Sequence, residues 1–177
     1  MAAIKHIFLV GYMGCGKSTL GRKLSRRLGW RLVDTDSEVE RLEGASVSDI
    51  FRYEGEEIFR QREREVIEQL LQSPAPLVVA TGGGLPAWRD NMERLGEGGL
   101  TIYIRRSAQN IASRLSPYGR QKRPKLRGLS DEELIDFMAR NMAERAPYYE
   151  RARLTLEGES FSDEALVEQI LNYIERV

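Results

Sequence analysis

Gly11-Tyr12-Met13-Gly14-Cys15-Gly16-Lys17-Ser18 fits the pattern G-x-x-x-x-G-K-[ST] at every fixed position. An apolar run, Ile7-Phe8-Leu9-Val10, leads into it, and Leu20, Leu24 and Leu28 follow at helical spacing before Gly29. A buried strand that turns through glycines into a helix is the context this pattern requires. The glycines let several backbone N–H groups curl inward, and the free N–H groups of the helix start add partial positive charge. The expected ligand is a nucleoside triphosphate. Gly14, Cys15, Gly16, Lys17, Ser18 and Thr19 would line its phosphates. Lys17 would reach the β- and γ-phosphates, and the Ser18 hydroxyl would help hold Mg²⁺. Cys15 reads either as a small filler in the loop or as a thiol acidified by the helix start.

Outward from that loop, apolar runs alternate with helical segments. Arg31-Leu32-Val33 is a second short strand, and Val39 and Leu42 mark a helix closed by Gly44. Ser46, Ser48 and Asp49 are candidate caps for the next turns. Glu56 to Gln72 reads as a charged helix ended by Pro74 and Pro76. Leu77-Val78-Val79-Ala80 and Leu100-Thr101-Ile102-Tyr103-Ile104 are further strands, and Pro86 suits another helix start. Helices are expected over about 108–115, 130–144 and 163–176, with Leu154-Thr155-Leu156 as a fifth strand. Short apolar strands separated by helices predict an α/β fold, a five-stranded parallel sheet flanked by helices. Ligands of such sheets bind beyond the carboxyl ends of the strands.

The chain has 177 residues, which predicts a single domain over 1–177. Net formal charge is zero, so no global field points to nucleic acid or a membrane. No run of 18 apolar residues predicts a membrane span. The start, Met1-Ala2-Ala3-Ile4-Lys5-His6, precedes an apolar run too short for a signal peptide. The one cysteine cannot form an internal disulfide, so the cytoplasm is the expected compartment. A neutral domain with no evident oligomer seam is expected to be a monomer.

Several further groups follow strand ends. Asp34-Thr35-Asp36 offers two carboxylates, one for magnesium waters and one for an acceptor hydroxyl; it can equally be a loop or a helix cap. Thr81-Gly82-Gly83-Gly84 leaves bare backbone that permits close ligand approach, or simply a tight turn. Arg60 lies on a charged helix face. Ser116 to Gly128 is polar, basic and without periodicity. Its run Arg120-Gln121-Lys122-Arg123-Pro124-Lys125-Leu126-Arg127 fits a mobile lid carrying an arginine better than a nucleic-acid site, since only Tyr118 is aromatic nearby. Arg145, near a helix end, can satisfy carbonyls there or face a carboxylate.

Taken in order, Gly11 to Thr19, Asp34-Thr35-Asp36, Phe59-Arg60 with Glu63, Gly82-Gly83-Gly84, Arg123-Pro124 and Arg145-x-Pro147-x-Tyr149 resemble the shikimate kinases, of the nucleoside-monophosphate-kinase-like group. The resemblance covers about Ile7 to Tyr149. It implies phosphoryl transfer from ATP, with Mg²⁺, to shikimate. On this likeness Lys17, Asp36 and Arg123 are catalytic. Asp36 meets a ring hydroxyl as base or orienter, and Arg60 and Arg145 grip the substrate carboxylate. Gly82, Gly83 and Gly84 supply backbone contacts. Asp34 acts on magnesium through water, and Arg123 closes over the nucleotide. Two departures stand out. Lys125 occupies a lid position where the family has an apolar residue, and Glu150-Arg151-Ala152-Arg153 lacks the usual aspartate after Tyr149. A gluconate-type kinase and a nucleotide-dependent switch are the competing readings.

Overall fold

The computed structural model describes residues 4–121 and 123–177. The expectations placed on Met1 to Ala3 and on Lys122 lie outside the described residues. Five strands form one sheet: β1 (His6–Val10), β2 (Arg31–Asp34), β3 (Leu77–Ala80), β4 (Leu100–Arg105) and β5 (Leu154–Glu157). All neighbours are parallel and the order is β2-β3-β1-β4-β5. The expected five-stranded parallel sheet is therefore present. β1 and β3 are buried along their whole length, which is why they read as continuous apolar runs.

Helices cover the sheet. α1 (Lys17–Leu28) packs on β1, β2 and β3 and against α9 (Asp163–Ile174). α2 (Thr35–Glu43), α3 (Val47–Tyr53) and α4 (Glu56–Leu71) share a second small core of Val39, Ile50, Phe59 and Val66. α5 (Asn91–Gly98) packs on β4, and α6 (Ala108–Arg114) on α8 (Asp131–Tyr149). Ser46 alone caps α3, accepting from the Asp49 N–H. Ser130 and Glu133 form a reciprocal cap at the start of α8.

The short helix marked by Val39 and Leu42 is α2, and Gly44 closes it. Three local expectations need correction. Pro86 starts a single 3₁₀ turn, Leu85–Ala87, and the helix proper is α5. Met92 and Leu95 are its only large apolar residues, too few to show a period. The 116–128 segment is not irregular throughout: it holds α7 (Pro117–Gln121) and a 3₁₀ turn over Pro124–Leu126. These pieces are shorter than the window over which a helical period shows. Finally, α8 runs on to Tyr149 with Pro147 inside its last turns, where the proline removes one N–H donor from the helix ladder.

His6 is buried on β1, and neither ring nitrogen has a hydrogen-bond partner. Burial, then the Lys5 charge, pushes its pKa down, so the folded state holds it neutral. The unfolded state takes up the proton near pH 6.5, and stability is lost as pH falls from there toward the lowered folded value. His6→Leu is expected to raise stability by about 1 kcal/mol at neutral pH, by removing buried unpaired polar atoms. It is also expected to flatten the loss between pH 7.5 and 5.5 in urea titrations. An unchanged slope in the variant would mean that other groups cause the acid sensitivity.

Candidate active site

The loop between β1 and α1 is shaped by its glycines. Gly14 and Gly16 have φ of 79° and 105°, a region side chains resist. The Lys17 side chain folds back over the loop, and its Nζ donates to the Gly11 carbonyl at 2.6 Å and the Tyr12 carbonyl at 2.9 Å. Lys17 is buried, so its charge acts in a weakly screened place. Ser18 and Thr19 are exposed at the helix start. Cys15 is buried in the main core, and its Sγ is 3.8 Å from Lys17 Nζ. That placement is the one a small filler takes.

The Asp34-Thr35-Asp36 stretch divides its tasks. Asp34, not Asp36, caps α2: its Oδ1 accepts from the N–H groups of Asp36 and Ser37 at 3.2 and 3.3 Å. Its other oxygen, Oδ2, accepts from the Ser18 hydroxyl at 2.8 Å. Two hard oxygen donors thus meet beside the phosphate loop. Among the described residues no three His, Cys, Asp or Glu side chains gather into a metal cage. A magnesium ion arriving with phosphate oxygens and water needs only such a sparse protein contribution, so Ser18 and Asp34 fit it. Thr35 is buried and its Oγ1 accepts from the Gly82 N–H at 2.8 Å, tying α2 to the end of β3.

Asp36 Oδ1 lies near Gly82 at the end of β3. Burial pushes its pKa up, the Asp34 charge adds to that, and Lys17 and Arg60 oppose it. Asp36 thus feels the charges of both Lys17 and Arg60. Arg60 pairs with Glu63 and with Glu56, at 3.2 Å for the latter. Its guanidinium also lies near the Phe59 ring.

The three glycines have a reason the sequence did not disclose. A Cβ on Gly82 would collide with Glu63 Oε1 and sit 2.6 Å from Asp36 Oδ1. One on Gly83 would sit 3.0 Å from the Met13 N–H nitrogen, and one on Gly84 would collide with the Arg60 guanidinium. Protein side chains, as well as any ligand, claim this space. The Gly82 N–H is already taken by Thr35, and its carbonyl accepts from Leu85 at 3.2 Å. The Gly83 carbonyl accepts from the Tyr149 hydroxyl.

Arg145 lies over the Tyr12 ring, 5.6 Å from its centre, and its charge is felt by Glu63. Arg123 donates to the Gly119 carbonyl at 2.6 Å, and its charge couples to Asp36 and Tyr12. Lys125, at a position where the resemblance implies an apolar residue, pairs with Glu56 Oε2 at 3.3 Å. Glu56 therefore links the 116–128 segment to Arg60.

Sequence reasoning gave Glu63 no role of its own in the site. It is fully buried, with one oxygen on Arg60 and the other, Oε1, unpaired beside Gly82. Burial pushes its carboxyl up to about 7 against the pull of Arg60, and Asp36 adds to the rise. Tyr12, Arg106 and Arg114 were also missed. Arg114 reaches to 3.7 Å from where a Gly16 Cβ would be. Arg60 and Glu63 stand at i, i+3 on a helix, a signal that a charged surface face also produces.

Comparison with known proteins agrees with this geometry. The family model for shikimate kinase matches residues 13–175. The chain is 37% identical over 174 residues to the shikimate kinase of Parabacteroides distasonis, covering 98% of this chain and 99% of that one. The crystal structure of shikimate kinase from Bacteroides thetaiotaomicron superposes with a TM-score of 0.90 at 33% identity, covering 98% and 99% of the two chains. The Acinetobacter baumannii shikimate kinase, solved in complex with shikimate, gives 0.86 at 34%, covering 98% and 94%. A phosphate loop, a carboxylate beside it, an arginine against a glycine strip and likeness along nearly the whole length lead to one conclusion: the chain belongs to the shikimate kinase family.

Proposed function

We propose that this chain transfers the γ-phosphoryl group of ATP to a hydroxyl of shikimate, forming shikimate 3-phosphate and ADP. The observation that carries this reading is Asp36 against Gly82, next to the Glu63 carboxylate that pairs with Arg60, and under the charge of Lys17. A hydroxyl held at Asp36 faces the phosphate loop, while a carboxylate on the same ring faces the arginines. Arg60 and Arg145 take that carboxylate, and the Gly83 backbone takes a second hydroxyl, with Gly82 and Gly84 leaving the room. Gly14, Cys15, Gly16, Lys17, Ser18 and Thr19 take the ATP phosphates. Arg123 closes over the nucleotide with the 116–128 segment acting as a lid. Bound Mg²⁺ would neutralise charge on the phosphate oxygens, with Ser18 and, through water, Asp34 as its protein contacts. Phosphoryl transfer needs little covalent help, so positioning and charge are what these residues supply.

No helix among the described residues is long and apolar enough to cross a membrane. The single cysteine supports a cytoplasmic enzyme, and a monomer of one domain is proposed, to be checked by light scattering.

An ADP-release assay with Mg·ATP and shikimate, quinate, gluconate or AMP tests the acceptor. Release with shikimate alone is expected. Release with gluconate instead would keep the nucleotide site and overturn the acceptor. Protein that binds ATP without acceptor-dependent release would be a switch or binding module. For the clamp, Arg60→Lys is more informative than Arg60→Ala, which strands the buried Glu63 without its partner. Lysine keeps the charge but loses the planar fork. We expect about a 10–100-fold rise in KM for shikimate with ATP binding nearly unchanged. An unaltered KM would remove Arg60 from the clamp.

A further inference from the structure

Arg106 follows β4 directly and is 5% exposed. Its Nε donates to the Cys15 carbonyl at 2.8 Å, across 91 positions of chain, and its Nη1 donates to Asn110 Oδ1 at 3.0 Å. The turn after β5 closes over it, since a Cβ on Gly158 would lie 2.9 Å from Nε. Asp163 and Glu159 pull on this guanidinium only at longer range, and Glu159 already accepts from the Ser107 N–H and hydroxyl at 3.0 and 2.9 Å. A buried arginine held by neutral acceptors, at the base of an anion-binding loop, is poorly compensated by the protein itself. The missing negative charge is available from a phosphate chain on the loop.

The peptide between Cys15 and Gly16 is planar and trans, so its carbonyl and its N–H point in opposite directions. Holding the carbonyl outward fixes the Gly16 N–H inward. We propose that Arg106 is a positioning residue for the phosphate loop: it grips the Cys15 carbonyl, orients the Gly16 N–H toward bound phosphates, and adds positive charge behind them. The ligand class is a nucleoside di- or triphosphate, and the proposal rests on the ATP reading given above. It does not depend on the acceptor, so a wrong acceptor would leave it standing.

The test is nucleotide binding by calorimetry without any acceptor, on wild type, Arg106→Met and Arg106→Lys. The probes are ATP, inorganic triphosphate and adenosine. Arg106→Met is expected to weaken ATP and triphosphate about tenfold or more, the loss typical of a hydrogen bond to a charged group. Adenosine binding should stay within about twofold, and Arg106→Lys should recover part of the loss, because an ammonium can still donate to one carbonyl. Unchanged triphosphate affinity in a folded variant would overturn the proposal. Equal losses for adenosine and ATP would also overturn it, making Arg106 only a wall of the cleft. If Arg106→Met does not fold, the lysine variant decides: triphosphate affinity equal to wild type argues against charge placement by the fork, and selective loss supports it. Wild type that binds no ATP would sink this proposal together with the kinase reading.

Discussion

Asp36→Asn is expected to lower kcat by about 10²–10⁴-fold, the range a positioned proton acceptor contributes. Asparagine keeps the shape and hydrogen-bonding reach of the side chain and removes its charge. The local fold should survive, because the cap of α2 is made by Asp34, whose Oδ1 takes the Asp36 and Ser37 N–H groups. Crowding at Gly82 is also unchanged, since asparagine occupies the same volume beside Glu63. The KM for shikimate should move little, because the proposed carboxylate grip of Arg60 and Arg145 is untouched by the change. Steady-state kinetics in the ADP-release assay read both constants. A kcat within about tenfold of wild type would mean that Asp36 orients the hydroxyl without taking its proton, which a loose transition state tolerates.

Lys17→Met should cost about 10²–10³-fold in kcat, the price of one preorganised donor at the point where charge develops. Methionine approximates the buried stem of lysine, so packing beneath the loop is retained while the ammonium is lost. The Gly11 and Tyr12 carbonyls that Lys17 contacts at 2.6 and 2.9 Å lose their donor, which makes some loss of ATP affinity part of the expected result. Thermal melting separates this from unfolding: the variant should melt within a few degrees of wild type in the absence of nucleotide. Retention of kcat within about fivefold, with ATP bound, would show that Lys17 only binds the ground state.

Much of this arrangement was legible along the chain. The phosphate loop occupies eight contiguous residues, and its function depends on backbone geometry that glycine, lysine and serine encode locally. The Leu77 to Ala80 run was legible because a strand buried on both faces must be apolar throughout. α5 was not legible, since two large apolar residues in eight do not establish a period. Asp34 and Asp36 were readable as a pair but not as cap and site residue, because that choice depends on where β2 ends and α2 begins.

Residue types and their spacing alone determined the strand–loop–helix phosphate site, the parallel α/β class and the set of candidate carboxylates, glycines and arginines. These are local properties, fixed by hydrogen-bonding geometry and by the burial of short runs. The tertiary structure alone decided which of them meet. The strand order β2-β3-β1-β4-β5 sets β3 and β4 on either side of β1. That brings Glu63 and Asp36 against Gly82, the Tyr149 hydroxyl to the Gly83 carbonyl and Arg106 beneath Cys15. Such contacts join positions up to 91 residues apart, and no local periodicity carries information over that distance; only the close packing of the folded sheet and helices selects them.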